Sequence, residues 1–214
     1  MKTTYIVYSI IILYLLIFPY KSSAADNSLW DAPLKKGNSL YIRTLRDIEI
    51  KNAVTKTFVQ SKNIKALNRN LISKGVLFIS QKGVCWQIVS PVFSSMLLTE
   101  HGITQKGQGG KVETKSTGHD MRTRYIVKIM MAMFMAQKEV LEAEFDLYFV
   151  KNRDSWQLGL VPKKRVMKRA VRHIVIAGTH GVDSISILQA QGDLTVIKIS
   201  DSSSTEVTLK NCVK

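Results

Sequence analysis

Histidine and acidic side chains are the first residues to examine for chemistry, because they supply most general acids, general bases and metal ligands. The sequence has four histidines, and none stands at a metal-ligand spacing from another. It contains no GxSxG nucleophile turn, no CxxC thiol pair and no HExxH zinc motif. Three glutamates lie close together, Glu139, Glu142 and Glu144, and the charged end of a helix explains them. The pattern favours a binding protein over an enzyme, with no catalytic residue, metal or cofactor expected.

Residues 74–91 carry more apolar side chains than a half-exposed strand pair needs. Antiparallel strands with one face in water usually alternate apolar and polar positions. A tight turn over residues 80–83 would make this stretch a hairpin. Its two faces would carry Leu77, Ile79, Val84, Trp86 and Ile88 on one side, and Val76, Phe78 and Cys85 on the other. We expect one of these faces to line a cavity.

A second surplus of apolar side chains lies in residues 121–137, which predict an amphipathic helix. Methionine is abundant there, and its flexible side chain adapts to irregular partners, although it also fills ordinary cores. Together with the hairpin, this helix predicts an apolar ligand cavity. The candidate lining residues are Leu77, Ile79, Trp86, Ile88, Met96, Leu98, Ile126, Met130, Met133 and Phe134.

Periodicity and turn residues divide the rest of the chain into short strands on both sides of this helix. An earlier helix is predicted from Asn38 or Ser39 to about Lys51, a linker over residues 62–72, and strands that include residues 141–150 and 206–213. We expect ten or eleven strands and two or three helices, with one antiparallel sheet that curls around the helices. The fold class is α+β, and residues 25–214 form a single domain.

The first 24 residues have the pattern of a secretory signal peptide. Lys2 precedes an apolar run over residues 5–18, and small residues follow it. Cleavage is expected after Ala24, with Ala25 as the second choice. A membrane anchor is the alternative, but the run is shorter than the roughly 20 residues that cross a bilayer.

The chain is strongly basic, with 31 lysines and arginines against 16 acidic residues. Such an excess suits nucleic acid, an anionic membrane or an acidic partner, and export argues against nucleic acid. The densest patch lies within residues 163–173. It is either a solvated turn and strand edge or a docking surface for a partner or an anionic lipid. The candidate docking residues are Lys163, Lys164, Arg165, Lys168 and Arg169.

The two cysteines, Cys85 and Cys212, leave two alternatives open. An exported chain with an even number of cysteines can form a disulfide. Cys85 could equally be a small buried apolar residue in its strand.

The order of several motifs resembles the LolA-like outer-membrane lipoprotein carriers over about residues 40–200. The matching positions in the first half are Phe58, Gln60, Lys62, Leu67, Gly75, Phe78, Gly83, Trp86 and Pro91. Those in the second half are Phe145, Trp156, Leu158, Pro162, Gly178, Gly192 and Asp193. Asn70 and Cys85 depart from the family pattern, which places the chain closer to a divergent branch.

The resemblance implies an unclosed β-barrel, of the LolA and LolB type, wrapped over helices with an apolar cavity between them. It also implies a periplasmic, monomeric carrier in a Gram-negative bacterium. Such a carrier would take acylated lipoproteins from an inner-membrane exporter to an outer-membrane acceptor. The basic surface would help it approach the exporter, the acceptor or, transiently, an anionic membrane. The alternatives are a glycolipid or polyene-type lipid as cargo, and a non-enzymatic envelope-assembly docking protein whose cavity is filled by its own side chains.

Overall fold

The computed structural model describes residues 27–107, 109–118, 121–202 and 207–213. The predicted signal peptide at residues 1–24 lies outside these described residues. Within them, eleven strands form one antiparallel sheet in the order β6-β5-β4-β3-β2-β1-β11-β10-β9-β8-β7. The order runs from β6 at one edge to β7 at the other, so the sheet is open. The predicted strand number and the predicted unclosed antiparallel architecture are both confirmed.

The strands are β1 (Val54–Ile64), β2 (Arg69–Ser80), β3 (Gly83–Ser90), β4 (Ser94–Thr99), β5 (Gly102–Lys106), β6 (Val112–Ser116), β7 (Phe145–Lys151), β8 (Trp156–Pro162), β9 (Val171–Gly178), β10 (Ser184–Gln189) and β11 (Leu194–Asp201). The helices are α1 (Ser39–Ile48), α2 (Met121–Phe134), α3 (Lys138–Glu144) and the single turn α4 (Arg165–Lys168). No helix in the described part of the chain has the length and apolar character needed to span a bilayer.

Helix α1 shows how the local sequence sets an element and its packing. The Asn38 side chain accepts a hydrogen bond from the Tyr41 backbone N–H at 3.0 Å, which caps a backbone donor that the helix cannot satisfy. Tyr41, Thr44 and Leu45 follow helical spacing and are buried. The helix thereby packs its apolar side against the sheet.

Two apolar clusters fill the space between the sheet and the helices. One joins α1 and α3 to β7, β8 and β9; its buried members include Tyr41, Leu141, Phe145, Phe149, Trp156, Leu158 and Ile174. The other joins α2 to β1, β2, β3, β4 and β11; its buried members are Phe58, Leu77, Ile79, Val84, Leu98, Val127 and Ile197. Helix α2 contributes to both clusters, since Ile129 packs in the first and Val127 in the second.

A segment before α1 covers the β7 edge of the sheet. The Leu34 N–H donates to the Leu147 carbonyl at 2.8 Å, and the Phe149 N–H donates to the Ala32 carbonyl at 3.0 Å. Leu29 is buried beside these residues. Two backbone groups of β7, the Leu147 carbonyl and the Phe149 N–H, therefore have partners on the side away from β8.

The structure differs from the sequence expectations in three places. Residues 62–72 form a β1–β2 hairpin with one turn of 3-10 helix at its tip, because Asn68 adopts the left-handed conformation, with φ of 46°, that reverses the chain. Residues 141–144 belong to α3, and the predicted strand begins only at Phe145. The part of the predicted last strand that the structure describes, residues 207–213, forms turns.

A disulfide between Cys85 and Cys212 settles the open cysteine question. It attaches the C-terminal segment to the outer face of β3, where the Cα atoms of the two residues lie 5.7 Å apart. The Gln87 side-chain amide also donates to the Cys212 carbonyl at 2.9 Å. The second apolar face of the hairpin is thus partly covered by the chain's own C-terminal residues.

Removal of this disulfide should destabilise the protein. The bridge joins residues 127 positions apart, so it restricts the unfolded chain strongly. We expect the double variant Cys85→Ser/Cys212→Ser to lose about 2–5 kcal/mol of unfolding free energy. Denaturant unfolding of wild type with and without reductant checks this. The double variant is the control, since reductant should leave its midpoint unchanged. Equal midpoints for oxidised and reduced wild type would contradict the prediction.

Candidate functional site

A mostly apolar space lies between the sheet and α2. This cavity has a volume of about 680 Å³. Its lining residues are Gln60, Trp86, Ile88, Ser94, Ser95, Met96, Gln105, Lys106, Gly107, Lys111, Glu113, Met130, Met133, Phe134, Ile185, Ile187 and Ile197. The exposed residues Gly107, Lys111 and Glu113 mark where the cavity meets solvent. We call it the main cavity.

Six of the ten residues expected to line a cavity come together here: Trp86, Ile88, Met96, Met130, Met133 and Phe134. Two others, Leu77 and Ile79, line a smaller cavity of about 200 Å³, which shares Met133, Phe134 and Ile185 with the main one. The last two lie elsewhere. Leu98 is fully buried in the packed core, and Ile126 is 48% exposed on the surface of α2.

The strand register explains which face of the hairpin points to α2. Ser80 pairs with Gly83, so the turn consists of Gln81 and Lys82, as the predicted turn over residues 80–83 required. Trp86 then pairs with Leu77 on β2 and with Met96 on β4. The predicted division of the hairpin into two faces is confirmed by this register.

Trp86 connects the sheet to the helix across the main cavity. Its ring centroid lies 4.3 Å from that of Phe58 on β1 and 6.3 Å from that of Phe134 on α2. Aromatic rings at such separations stabilise one another beyond their buried area. A change at Trp86 would therefore affect both the wall and the cover of the cavity.

Sequence reasoning missed the wall that β10 and β11 provide. Ile185 and Ile187 alternate along β10, and Ile197 on β11 pairs with Ile185. All six residues of β10 are only half-buried, which fits a strand whose apolar side faces a space. The alternation in SISIL was the available signal, but it is equally typical of a strand packed on a filled core.

A buried carboxylate holds α2 to the rest of the molecule. Glu144 is 3% exposed, and its two oxygens bind Lys128 at 3.0 Å, Lys164 at 3.0 Å and the Tyr125 hydroxyl at 3.0 Å. Burial opposes ionisation, but the hydrogen bonds from Lys128, Lys164 and Tyr125 outweigh it and lower the pKa of Glu144. Burial and the bond to Glu144 raise the pKa of Tyr125 to about 12. We call these four residues the Glu144 cluster.

The five candidate docking residues lie on the surface around α4, and two of them have acidic neighbours. Lys164 belongs to the Glu144 cluster. Lys163 lies 4.0 Å from the Asp146 carboxylate and also donates to the Glu142 backbone carbonyl at 2.7 Å. Arg165, Lys168 and Arg169 are exposed. Among the described residues, none of these last three has a carboxylate within 4.0 Å. In the same part of the chain, no group of three or more His, Cys, Asp or Glu side chains is placed to hold a metal.

Substitution of Glu144 should weaken the attachment of α2. Because the pKa of Glu144 is lowered by folding, its contribution is present above its ordinary value of 4.5 and is lost as the pH falls through the folded-state pKa. We expect Glu144→Gln to reduce the unfolding free energy at neutral pH by about 1–3 kcal/mol. Denaturant unfolding over a pH series is the measurement.

The difference between wild type and Glu144→Gln should shrink as the medium becomes acidic. Glu139→Gln is the matched control, because Glu139 is exposed on the same helix α3 and lies outside the cluster. A gap between wild type and Glu144→Gln that stays constant down to acidic pH would show that the carboxylate charge is not what holds α2.

No protein-family model and no curated protein matches the sequence. Solved structures do. A LolA superfamily protein from Nitrosomonas europaea is 9% identical, with a TM-score of 0.46, over 82% of this chain and 96% of that one. A DUF1329 family protein from Desulfovibrio piger is 12% identical, with a TM-score of 0.40, over 78% and 93%.

A third structure is a domain provisionally assigned to outer membrane lipoprotein sorting, from Vibrio parahaemolyticus. It is 10% identical, with a TM-score of 0.37, over 79% of this chain and 93% of that one. The first of the three structures carries the name of the family that the sequence motifs resemble. These likenesses concern architecture alone.

Proposed function

We propose that this chain is a non-enzymatic carrier that holds acyl chains in its main cavity. The proposed cargo is the acylated end of lipoproteins, which the carrier would move through the periplasm from an inner-membrane exporter to an outer-membrane acceptor. The observation that supports the proposal best is the main cavity itself. It lies between one face of a sheet and a methionine-rich helix, and its walls are mostly apolar.

The size and chemistry of the cavity suit a lipid chain. Its volume of about 680 Å³ lies within the range of about 300–1,000 Å³ typical of ligand sites. An acyl chain gains about 0.8 kcal/mol for each methylene removed from water. Gln60, Ser94 and Gln105 add a few polar groups to the wall, which could meet the ester or amide end of the cargo.

The cover of the cavity is adaptable. Helix α2 contributes Met130, Met133 and Phe134 to the lining. Unbranched methionine side chains change rotamer readily and can follow cargo of different lengths. A carrier must also release its cargo, and α2 is attached by polar contacts to Glu144 as well as by buried side chains such as Val127 and Ile129.

The compartment belongs to the same proposal. A disulfide such as Cys85–Cys212 persists in oxidising compartments, of which the periplasm is one. The expected signal peptide at residues 1–24 would deliver the chain there.

Binding of a fluorescent fatty acid to the purified mature chain tests the proposal. We expect saturable binding that Met130→Glu weakens by about tenfold or more, because a carboxylate would enter the apolar lining. Trp86→Ala should also weaken binding, because it removes the ring between the wall and the cover. Ile126→Glu is the matched control: it introduces the same charge on the same helix, outside the cavity, and should bind as wild type does.

Two results would decide against a carrier. One is the lack of saturable binding by the wild type. The other is an equal effect of Met130→Glu and Ile126→Glu, which would locate any binding outside the main cavity. If the wild type does bind in the main cavity, mass spectrometry of lipid that co-purifies from the native periplasm would identify the cargo. It would distinguish acylated lipoprotein from a glycolipid or a polyene-type lipid.

A further inference from the structure

Exposed apolar side chains collect at one end of the strands, around four of the connections between them. Taken with the strand residues that flank them, these connections cover residues 64–72 between β1 and β2, 89–93 between β3 and β4, 163–170 between β8 and β9, and 190–194 between β10 and β11. They hold eight of the twelve large apolar residues that are exposed in the described chain: Leu67, Leu71, Ile72, Val89, Val92, Phe93, Val166 and Leu194. We call the surface formed by these four ranges the basic rim.

Hydrogen bonds and register join these connections into one continuous surface. The Ala190 N–H donates to the Ala170 carbonyl at 2.9 Å, which ties the β10–β11 turn to the α4 segment. The Lys65 N–H donates to Asp193 at 3.1 Å, which ties the same turn to the β1–β2 hairpin. The last pair between β2 and β3 is Lys74 with Ser90, so residues 69–73 of β2 extend past the end of β3. The hairpin tip therefore projects from the rim.

The charge of the rim is positive. Its exposed basic residues are Lys65, Arg69, Arg165, Lys168 and Arg169, and Arg172 follows them at the start of β9. The one acidic residue within the four connections is Asp193, which is 7% exposed and accepts the bond from the Lys65 N–H. Lys163 and Lys164 are left out of this set because Asp146 and Glu144 lie beside them.

The main cavity extends to the end of the strands that carries the basic rim. Ile88 and Ser94 form the last β3–β4 pair before the turn, and both line the cavity. Ile187, two positions before the end of β10, lines it as well. A partner bound to the basic rim would thus lie next to this end of the cavity.

From these observations we infer that the basic rim docks on the surface of an anionic lipid bilayer. Scattered basic side chains around a projecting apolar tip match a membrane interface, where cations contact headgroups and apolar side chains enter the boundary with the acyl chains. A folded acidic protein would match the charge, but it would also need an apolar pocket for Leu67, Leu71 and Ile72 at the hairpin tip, whereas a bilayer supplies apolar cover to any projecting tip. Docking goes beyond the proposed cargo function, because it does not require a filled cavity.

Co-sedimentation with lipid vesicles tests this inference. We expect the mature chain to bind vesicles made of equal parts phosphatidylglycerol and phosphatidylcholine, and to bind pure phosphatidylcholine much less. Lys168→Glu should weaken binding by about fivefold or more, since each basic residue near an anionic surface has an effect of that order. Lys82→Glu is the charge-matched control. Lys82 is exposed in the β2–β3 turn, at the other end of the strands, and this variant should bind as wild type does.

The apolar contribution has its own matched pair at the hairpin tip. Leu67→Asp and Asn68→Asp add the same charge at neighbouring exposed positions, but only the first removes an apolar side chain. We expect Leu67→Asp to bind vesicles about tenfold more weakly than Asn68→Asp, because it removes a leucine that would be partly buried in the membrane.

Failure of docking can be distinguished from failure of the carrier function. A chain that ignores anionic vesicles yet binds the fluorescent fatty acid would overturn the docking inference alone. Equal losses for Lys168→Glu and Lys82→Glu would also overturn it, because binding would then follow net charge rather than the rim. Vesicle binding without fatty-acid binding would leave docking in place and remove the cargo proposal.

Discussion

The turn formed by Gln81 and Lys82 fixes the register on which the cavity depends. A shift by one residue would move every side chain of the hairpin to the opposite face. Gly83 makes the turn possible: its φ of 156° and the Leu98 carbonyl, 2.5 Å from where a Cβ would stand, exclude a larger residue without distortion. With this register, Trp86 faces α2 and Cys85 faces the C-terminal segment.

The two sides of the cavity have different mechanical support. The β3–β4 wall is paired on both sides within the sheet and is attached at its back to Cys212. Helix α2 is held in part by the Glu144 cluster, which also includes Lys164 beside the basic rim. An anionic surface that attracts Lys164 would compete with Glu144 for it. The geometry thus connects the cover of the cavity to the surface inferred to meet the membrane.

The sequence predicted the class of fold and the composition of the cavity better than its boundaries. Alternation in the hairpin selected Trp86 and Ile88, and helical spacing selected Met130 and Met133; all four line the main cavity. Whether an inward residue lines a space or packs in a core depends on how far the helix stands from the sheet, which periodicity does not encode. Leu98 therefore lies in the core, although Met96, two positions before it on the same strand, lines the cavity.

Residues whose structure depends on distant partners were the hardest to predict. Ile126 was expected to face the cavity together with Met130, but α2 is apolar over much of its circumference. Met130 does face the sheet, whereas Ile126 is exposed and Val127, which was not expected there, is buried. Residues 141–144 read as a strand, yet the end of α3 is fixed where Glu144 meets Lys128 and Lys164. Such long-range contacts leave no local pattern.

The segment around Ala32 and Leu34 that pairs with β7 has a consequence for association between copies. It occupies one edge of an open sheet, which would otherwise offer its backbone groups to another chain. The other edge is β6, a strand of five exposed residues that carries Glu113 and Lys115. Charges on a short edge strand oppose edge-to-edge pairing. Both edges of the sheet are therefore protected against pairing with another copy, which opposes aggregation of a chain with this much apolar surface near its cavity.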